Sequence, residues 1–286
     1  MSIVVEHLNH TYSPNSPFAV QAIADINMEV RDGEFIGIIG HTGSGKSTLI
    51  QHLNGLEPAQ SGRVMVDGVE LTGDYDRKKT RMQVGMVFQY PEQQLFEETV
   101  EKDICFGPKN LGLSEDEQKA RAHWAMKLLD LDVDTYAQRS PFDLSGGQKR
   151  RVAIAGVLAM QPRYLVLDEP VAGLDPEGRR RLLDQIVALH EQTHIGIVLV
   201  SHSMDDIARC AQRVLVMHQG RLVRQGTPAE VFADAAYLQS IGLGTPVLAQ
   251  LAEKLQNKGV RVPFSPTPEG MAYAIAQALK KEDQHA

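Results

Sequence analysis

Gly40-His41-Thr42-Gly43-Ser44-Gly45-Lys46-Ser47-Thr48 fits the pattern G-x-x-x-x-G-K-[ST] at every position. Ahead of it runs an apolar stretch, 34–39, predicted as a strand buried on both faces. Behind it, residues 48–53 are predicted to begin an apolar helix. The glycines let backbone N–H groups turn toward an anion without Cβ clashes. The helix start adds the positive end of its dipole. Lys46 is expected to reach the outer phosphates of a nucleoside triphosphate, and Ser47 to ligate Mg²⁺. A glycine-rich turn holding Gly-Lys-Ser by chance is the bland alternative, and the flanking strand and helix argue against it. The motif points to a nucleoside triphosphate without saying which machine uses it.

Working outward, Tyr164-Leu165-Val166-Leu167-Asp168-Glu169-Pro170 is an apolar strand that ends in two acids. Acids at the end of a buried strand are costly unless they serve a cation or a reaction. Asp168 is expected to hold the Mg²⁺ shell. Glu169 points elsewhere and can polarise an attacking water. His202 follows a third apolar strand, Val198-Leu199-Val200-Ser201-His202, and is expected to donate to the γ-phosphate or the water. All three sites then lie at the C-terminal ends of parallel strands, where open α/β sheets bind ligands.

The rest of the chain is organised around this centre. Residues 3–5, 23–30 and 84–88 read as strands, and 61–71 as a hairpin turning at Asp67-Gly68. Residues 114–131 read as a helix opened by a Ser114/Glu117 capping box, and 145–160 as a helix opened by serine and two glycines. A helix over 176–192 is predicted to cross between parallel strands 164–167 and 195–200. Residues 214–217 and 222–224 read as a final hairpin, with short helices at 227–232, 246–256 and 269–281.

Composition narrows the partners. The 286 residues carry a formal charge of −7, with no basic stripe of the kind that holds nucleic acid. Two distant cysteines, Cys105 and Cys210, argue against a disulfide scaffold or zinc site. No run approaches the roughly 18–20 apolar residues of a membrane helix, and the N-terminus lacks the pattern of a signal peptide. The expectation is a soluble, cytoplasmic chain that another subunit holds at any membrane.

Leu144-Ser145-Gly146-Gly147-Gln148 resembles, without departure, the signature motif LSGGQ of ATP-binding cassette (ABC) ATPases. Physically it is a second helix start suited to an anion. The resemblance implies a P-loop NTPase of the ABC ATPase type: an α/β RecA-like core with an antiparallel β subdomain and a helical signature subdomain. It implies ATP with Mg²⁺, clamped between two chains, with Ser145, Gly146, Gly147 and Gln148 of one acting on the nucleotide of the other. Tyr12 matches the aromatic that stacks on adenine. Gln89 matches the glutamine that meets Mg²⁺ and water. Gly173-Leu174-Asp175 matches the loop that touches the partner.

The region Tyr90-Pro91-Glu92-Gln93-Gln94-Leu95-Phe96, with Phe106-Gly107-Pro108-Lys109-Asn110 after it, resembles the ATPases of energy-coupling factor (ECF) importers. Its wording is closer to the second of their two paired ATPases. That implies a heterodimer with a second ABC ATPase, a transmembrane coupling subunit whose helix enters this region, and a substrate-binding membrane subunit reached through the complex. It implies uptake of a vitamin or similar micronutrient, at the cytoplasmic face of the membrane. The expected domains are an ABC ATPase domain over 1–235, with its helical subdomain near 90–160, and a C-terminal helical extension over 236–286. A cobalt or nickel importer ATPase is the nearest alternative. A soluble ABC ATPase acting on ribosomes or DNA is a more distant one, and a non-hydrolysing cassette sits poorly with Glu169 and His202.

Overall fold

The computed structural model describes residues 1–71 and 82–283. Residues 72–81, inside the expected ATPase domain, and 284–286, the end of the expected extension, lie outside that description. The strands are β1 (Ser2–Tyr12), β2 (Val20–Arg31), β3 (Phe35–Ile39), β4 (Ser61–Val66), β5 (Val69–Glu70), β6 (Val84–Val87), β7 (Tyr164–Asp168), β8 (Gly196–Val200), β9 (Arg213–His218) and β10 (Arg221–Gly226). The helices are α1 (Lys46–Leu53), α2 (Val100–Asn110), α3 (Glu115–Leu128), α4 (Val133–Tyr136), α5 (Gly146–Leu158), α6 (Pro176–Thr193), α7 (Met204–Cys210), α8 (Pro228–Phe232), α9 (Ala235–Ser240), α10 (Val247–Gln256) and α11 (Pro268–Asp283).

The strands form two sheets. An antiparallel sheet runs β2-β1-β4-β5, and a six-stranded sheet runs β10-β9-β3-β8-β7-β6. In the larger sheet β9, β3, β8, β7 and β6 are parallel, and only β10 at the edge is antiparallel. Strands β3, β6 and β8 are buried along their whole length, which is why they read as unbroken apolar runs. Alternation divides their side chains between two cores. Phe35, Ile39, Leu165, Leu167, Ile197 and Leu199 face a core built with α2, α3, α5 and α6. Ile36, Ile38, Val166, Val198 and Val200 face the antiparallel sheet and α1. Each fully buried residue of this kind contributes about 1.5–3 kcal/mol.

Local chemistry sets the boundaries. The β4–β5 hairpin pairs Val66 with Val69 across Asp67-Gly68, both at positive φ (50° and 82°), as a two-residue primed turn requires. Ser114 and Glu117 form the expected capping box at the start of α3. That helix ends at Leu128, three residues short of the expected limit, and Leu129 caps it. Helix α2 was not anticipated, because Gly107-Pro108 reads as a break. Pro108 sits in the last turn, and the Leu111 N–H reaches the Gly107 and Pro108 carbonyls behind it.

Past β10, Leu238, Leu243 and Ala249 join the larger core. Ala252, Val262 and Met271 form a separate small core between α10 and α11, with Leu248 and Leu255 against it. Leu251, between them on the same helix, turns outward and is exposed. Cys105 and Cys210 are free and half-buried against the larger core. Among the described residues, no helix is long and apolar enough to cross a membrane.

Candidate nucleotide site

The strand order β3-β8-β7-β6 sets four loops side by side at the C-terminal edge of the sheet. Residues 40–48 follow β3, His202 follows β8, Asp168 and Glu169 close β7, and Gln89 follows β6. Glycine is required in the first loop by space and by angle. A Cβ at Gly40 would stand 2.5 Å from the Met217 carbonyl oxygen. One at Gly45, where φ is 97°, would stand 2.4 Å from the Ala22 carbonyl oxygen. Gly45 caps α1 and supplies no side-chain acceptor to the first-turn N–H groups, so this helix start is fit for an anion. The buried Ser44 hydroxyl also lacks a partner.

Lys46 is buried, and its Nζ donates to the carbonyls of Gly40 (2.7 Å) and His41 (3.1 Å). Burial pulls its ammonium below the ordinary lysine value, against the opposing pull of Glu169 and Asp168. Thr48 is buried too, with its hydroxyl 3.1 Å from the Tyr12 hydroxyl. The Tyr12 ring stands edge-on to His10 at 4.5 Å, and His10 to His52 at 4.9 Å. His41 and Thr42 complete the loop, with the His41 ring nitrogen Nδ1 2.7 Å from the Thr42 carbonyl.

Burial raises the Asp168 carboxyl, while a hydrogen bond from Ser47 and the charge of Lys46 pull it back. Ser47 and Asp168 therefore offer two adjoining oxygen donors, the small hard set that suits Mg²⁺ carrying its own waters. Glu169 takes φ 48°, which turns its side chain away from the strand direction. Burial first, and the adjacent Asp168 charge second, push its carboxyl up to about 7. Its Oε1 lies 3.2 Å from Nε2 of His202. Partial burial, and then Lys46, hold that imidazole below its ordinary value.

The other expected residues gather elsewhere. Ser145 caps α5 in a capping box with Gln148: the Ser145 N–H donates to Oε1 of Gln148 at 2.9 Å. Asp175 caps α6 by accepting from the Gly178 N–H at 2.9 Å. Ser145, Gly146, Gly147, Gln148 and Asp175 line one cavity of about 470 Å³, together with Arg151 and with Arg181, which pairs with Glu177 at 3.0 Å. No residue of the 40–48 loop lines it. A second, more apolar groove of about 750 Å³ runs along Phe88, Leu95, Phe96 and Phe106. Phe96 and Phe106 meet edge-to-face there at 4.9 Å, and both are exposed.

Arg150 and Glu92 were not singled out from the sequence. Arg150, one turn into α5, is only 2% exposed and pairs with Glu92 through two hydrogen bonds. The one available signal was a charged residue four positions before Ile154 and eight before Leu158, on a row that is otherwise apolar and buried.

Comparison with known proteins agrees with this architecture. The ABC transporter family model matches residues 23–172. The chain is 54% identical over 263 residues to the energy-coupling factor transporter ATP-binding protein EcfA2 of Clostridium tetani, covering 92% of this chain and 91% of that one. It is 51% identical over 292 residues to EcfA2 of Geobacillus kaustophilus, covering both in full. Among solved structures it resembles cbiO1 of Clostridium perfringens, part of the ABC transporter complex cbiONQ. That match has TM-score 0.74 and 39% identity, over 88% of this chain and 98% of that one. It also resembles the dimeric cassette MJ0796 bound to ADP and Pi after hydrolysis (TM-score 0.70, 27% identity, 79% and 98% covered). The chain belongs to the ABC transporter ATPases and, among them, to the ATP-binding proteins of energy-coupling factor transporters.

Proposed function

We propose that this chain hydrolyses ATP with Mg²⁺ as one of two unlike ATPases that energise vitamin or micronutrient uptake. The observation that carries the reading is the convergence of Lys46, the Ser47–Asp168 donor pair and the Glu169–His202 contact of 3.2 Å on one sheet edge. Residues 40–48 cradle the phosphates with backbone N–H groups, Lys46 neutralises their charge, and Tyr12 stacks on the base. Ser47, Asp168 and Gln89 would hold Mg²⁺, which when bound neutralises phosphate charge. Glu169 accepts a proton from the attacking water at its carboxylate, and His202 donates from Nε2 toward the developing charge. Positioning and charge neutralisation supply most of the acceleration in phosphoryl transfer.

The cavity at Ser145–Gln148 and Asp175 serves the nucleotide of the partner ATPase. That assignment explains why a helix start suited to phosphate lies away from the loop that needs one. The apolar groove at Leu95, Phe96 and Phe106 receives a helix of a transmembrane coupling subunit, which keeps this chain peripheral, at the cytoplasmic face. The substrate-binding membrane subunit is reached only through that complex. Residues 1–235 act as the ATPase domain, with 90–160 as its helical part, and 236–286 help to hold the two ATPases together.

Glu169→Gln tests the central assignment in the assembled complex. ATP binding is expected to persist while turnover falls about 10²–10⁴-fold, the span of general acid–base contributions. Turnover at the native rate would remove Glu169 from the role.

A further inference from the structure

We propose that Arg150 is the positioning residue that ties the coupling groove to the hydrolytic carboxylate and to the loop facing the partner. It rests on the reading of that groove given above. Four of its five N–H donors are engaged. Nε and Nη2 reach the two carboxylate oxygens of Glu92 at 2.9 and 2.6 Å. Nη1 donates to the Pro170 carbonyl at 3.1 Å and to the Ala172 carbonyl at 2.6 Å. The guanidinium also stands 5.9 Å from the centre of the Tyr90 ring.

These partners come from three segments that must act together. Glu92 and Tyr90 lie in the stretch that begins at Gln89 and ends at the groove residues Gln94, Leu95 and Phe96. Pro170 and Ala172 lie between Glu169 and the Gly173-Leu174-Asp175 loop. Arg150 itself rides on the helix that Ser145 caps. Gly173 lies beside the same ring: a Cβ there would stand 3.6 Å from Tyr90 Cε1. Pressure on the groove displaces the 90–96 segment. Glu92 then pulls the guanidinium, and Arg150 moves the carbonyls that follow Glu169.

A planar fork can hold a carboxylate and two carbonyls at once, and a lysine ammonium cannot span both sides. A merely structural staple would not need these partners, since a buried ion pair is often replaced by apolar residues without loss of stability. Burial does more than desolvate here. It keeps the guanidinium stiff, with no water to take the place of the Pro170 carbonyl, while Glu92 meets it from a partly exposed position.

The test compares hydrolysis by the complete transporter in lipid with hydrolysis by the ATPase pair alone. Wild type, Arg150→Lys, Glu92→Gln and the double variant are measured, and the ratio of the two kcat values is the readout. Each single variant is expected to lower that ratio about tenfold, with KM for ATP within about twofold, and the double variant to match the singles. Glu92→Gln keeps an acceptor for Arg150 and guards against a fold too weak to assay. A native ratio in either folded variant overturns the proposal. So does a loss confined to KM, or two losses that multiply. A ratio of one in wild type removes the coupling reading itself and this inference with it.

Discussion

Gly45 holds φ 97°, and a Cβ there would stand 2.4 Å from the Ala22 carbonyl oxygen and 3.3 Å from Met217 Cε. Gly43, two residues earlier, holds φ 78° with nothing within 4 Å of its missing Cβ. Alanine at either position carries the left-handed penalty of about 1–2 kcal/mol. Only Gly45→Ala also collides with backbone, and overpacking of that kind adds about 1–3 kcal/mol. Thermal denaturation without nucleotide separates the two. At roughly 2–4 °C per kcal/mol for domains of 150–250 residues, Gly45→Ala is expected to melt about 2–12 °C below Gly43→Ala. The clash is relieved only by moving the loop off β2, so ATP protection should also fall. At a hundredfold excess over Kd that protection is about 2.7 kcal/mol for an intact site. Equal melting temperatures for the two variants would refute the reasoning, because the Ala22 carbonyl would then constrain nothing.

Lys46→Ala removes a buried cation from the phosphate cradle. The ATP Kd is expected to rise about 10–150-fold, the equivalent of 1.5–3 kcal/mol for charged hydrogen bonds, in a fluorescent-nucleotide titration. Native affinity would contradict the assignment. His52 gives a pH signature. Burial, and then neighbouring His10, push its imidazole down to about 4. The unfolded value is about 6.5, so between those limits the unfolded chain binds more protons and stability falls as pH drops. His52→Leu should flatten the melting temperature between pH 4 and 6.5, and an unchanged slope would exclude His52 as its source.

What the sequence made legible was what is local or periodic. The strands before Gly40, Asp168 and His202 are buried on both faces, so each reads as an apolar run without needing a partner. The capping box at Ser114 sits within four residues and was readable for the same reason, whereas at Ser145 only a helix opened by serine was read and the box with Gln148 came from the structure. Helix α2 was hidden by Gly107-Pro108, whose cost depends on where the helix ends. Helix α7, with only seven residues, is too short to show a period. Arg150 shows the harder limit. Its partners Glu92, Pro170 and Ala172 are distant in sequence, and nothing in the local pattern reveals that one guanidinium holds all three.

The φ of 48° at Glu169 has a consequence for how such a chain can change. A side-chain-bearing residue in that region costs about 1–2 kcal/mol, and here the cost falls on the residue proposed to polarise water. The end of β8 and the turn after β7 over-determine it, since the Glu169 N–H donates to the Val200 carbonyl and its own carbonyl accepts from the Ala172 N–H. Glycine would relieve the strain and leave both hydrogen bonds intact. Selection for heat resistance alone would thus favour silent, well-folded chains. Only selection for transport retains the strained carboxylate.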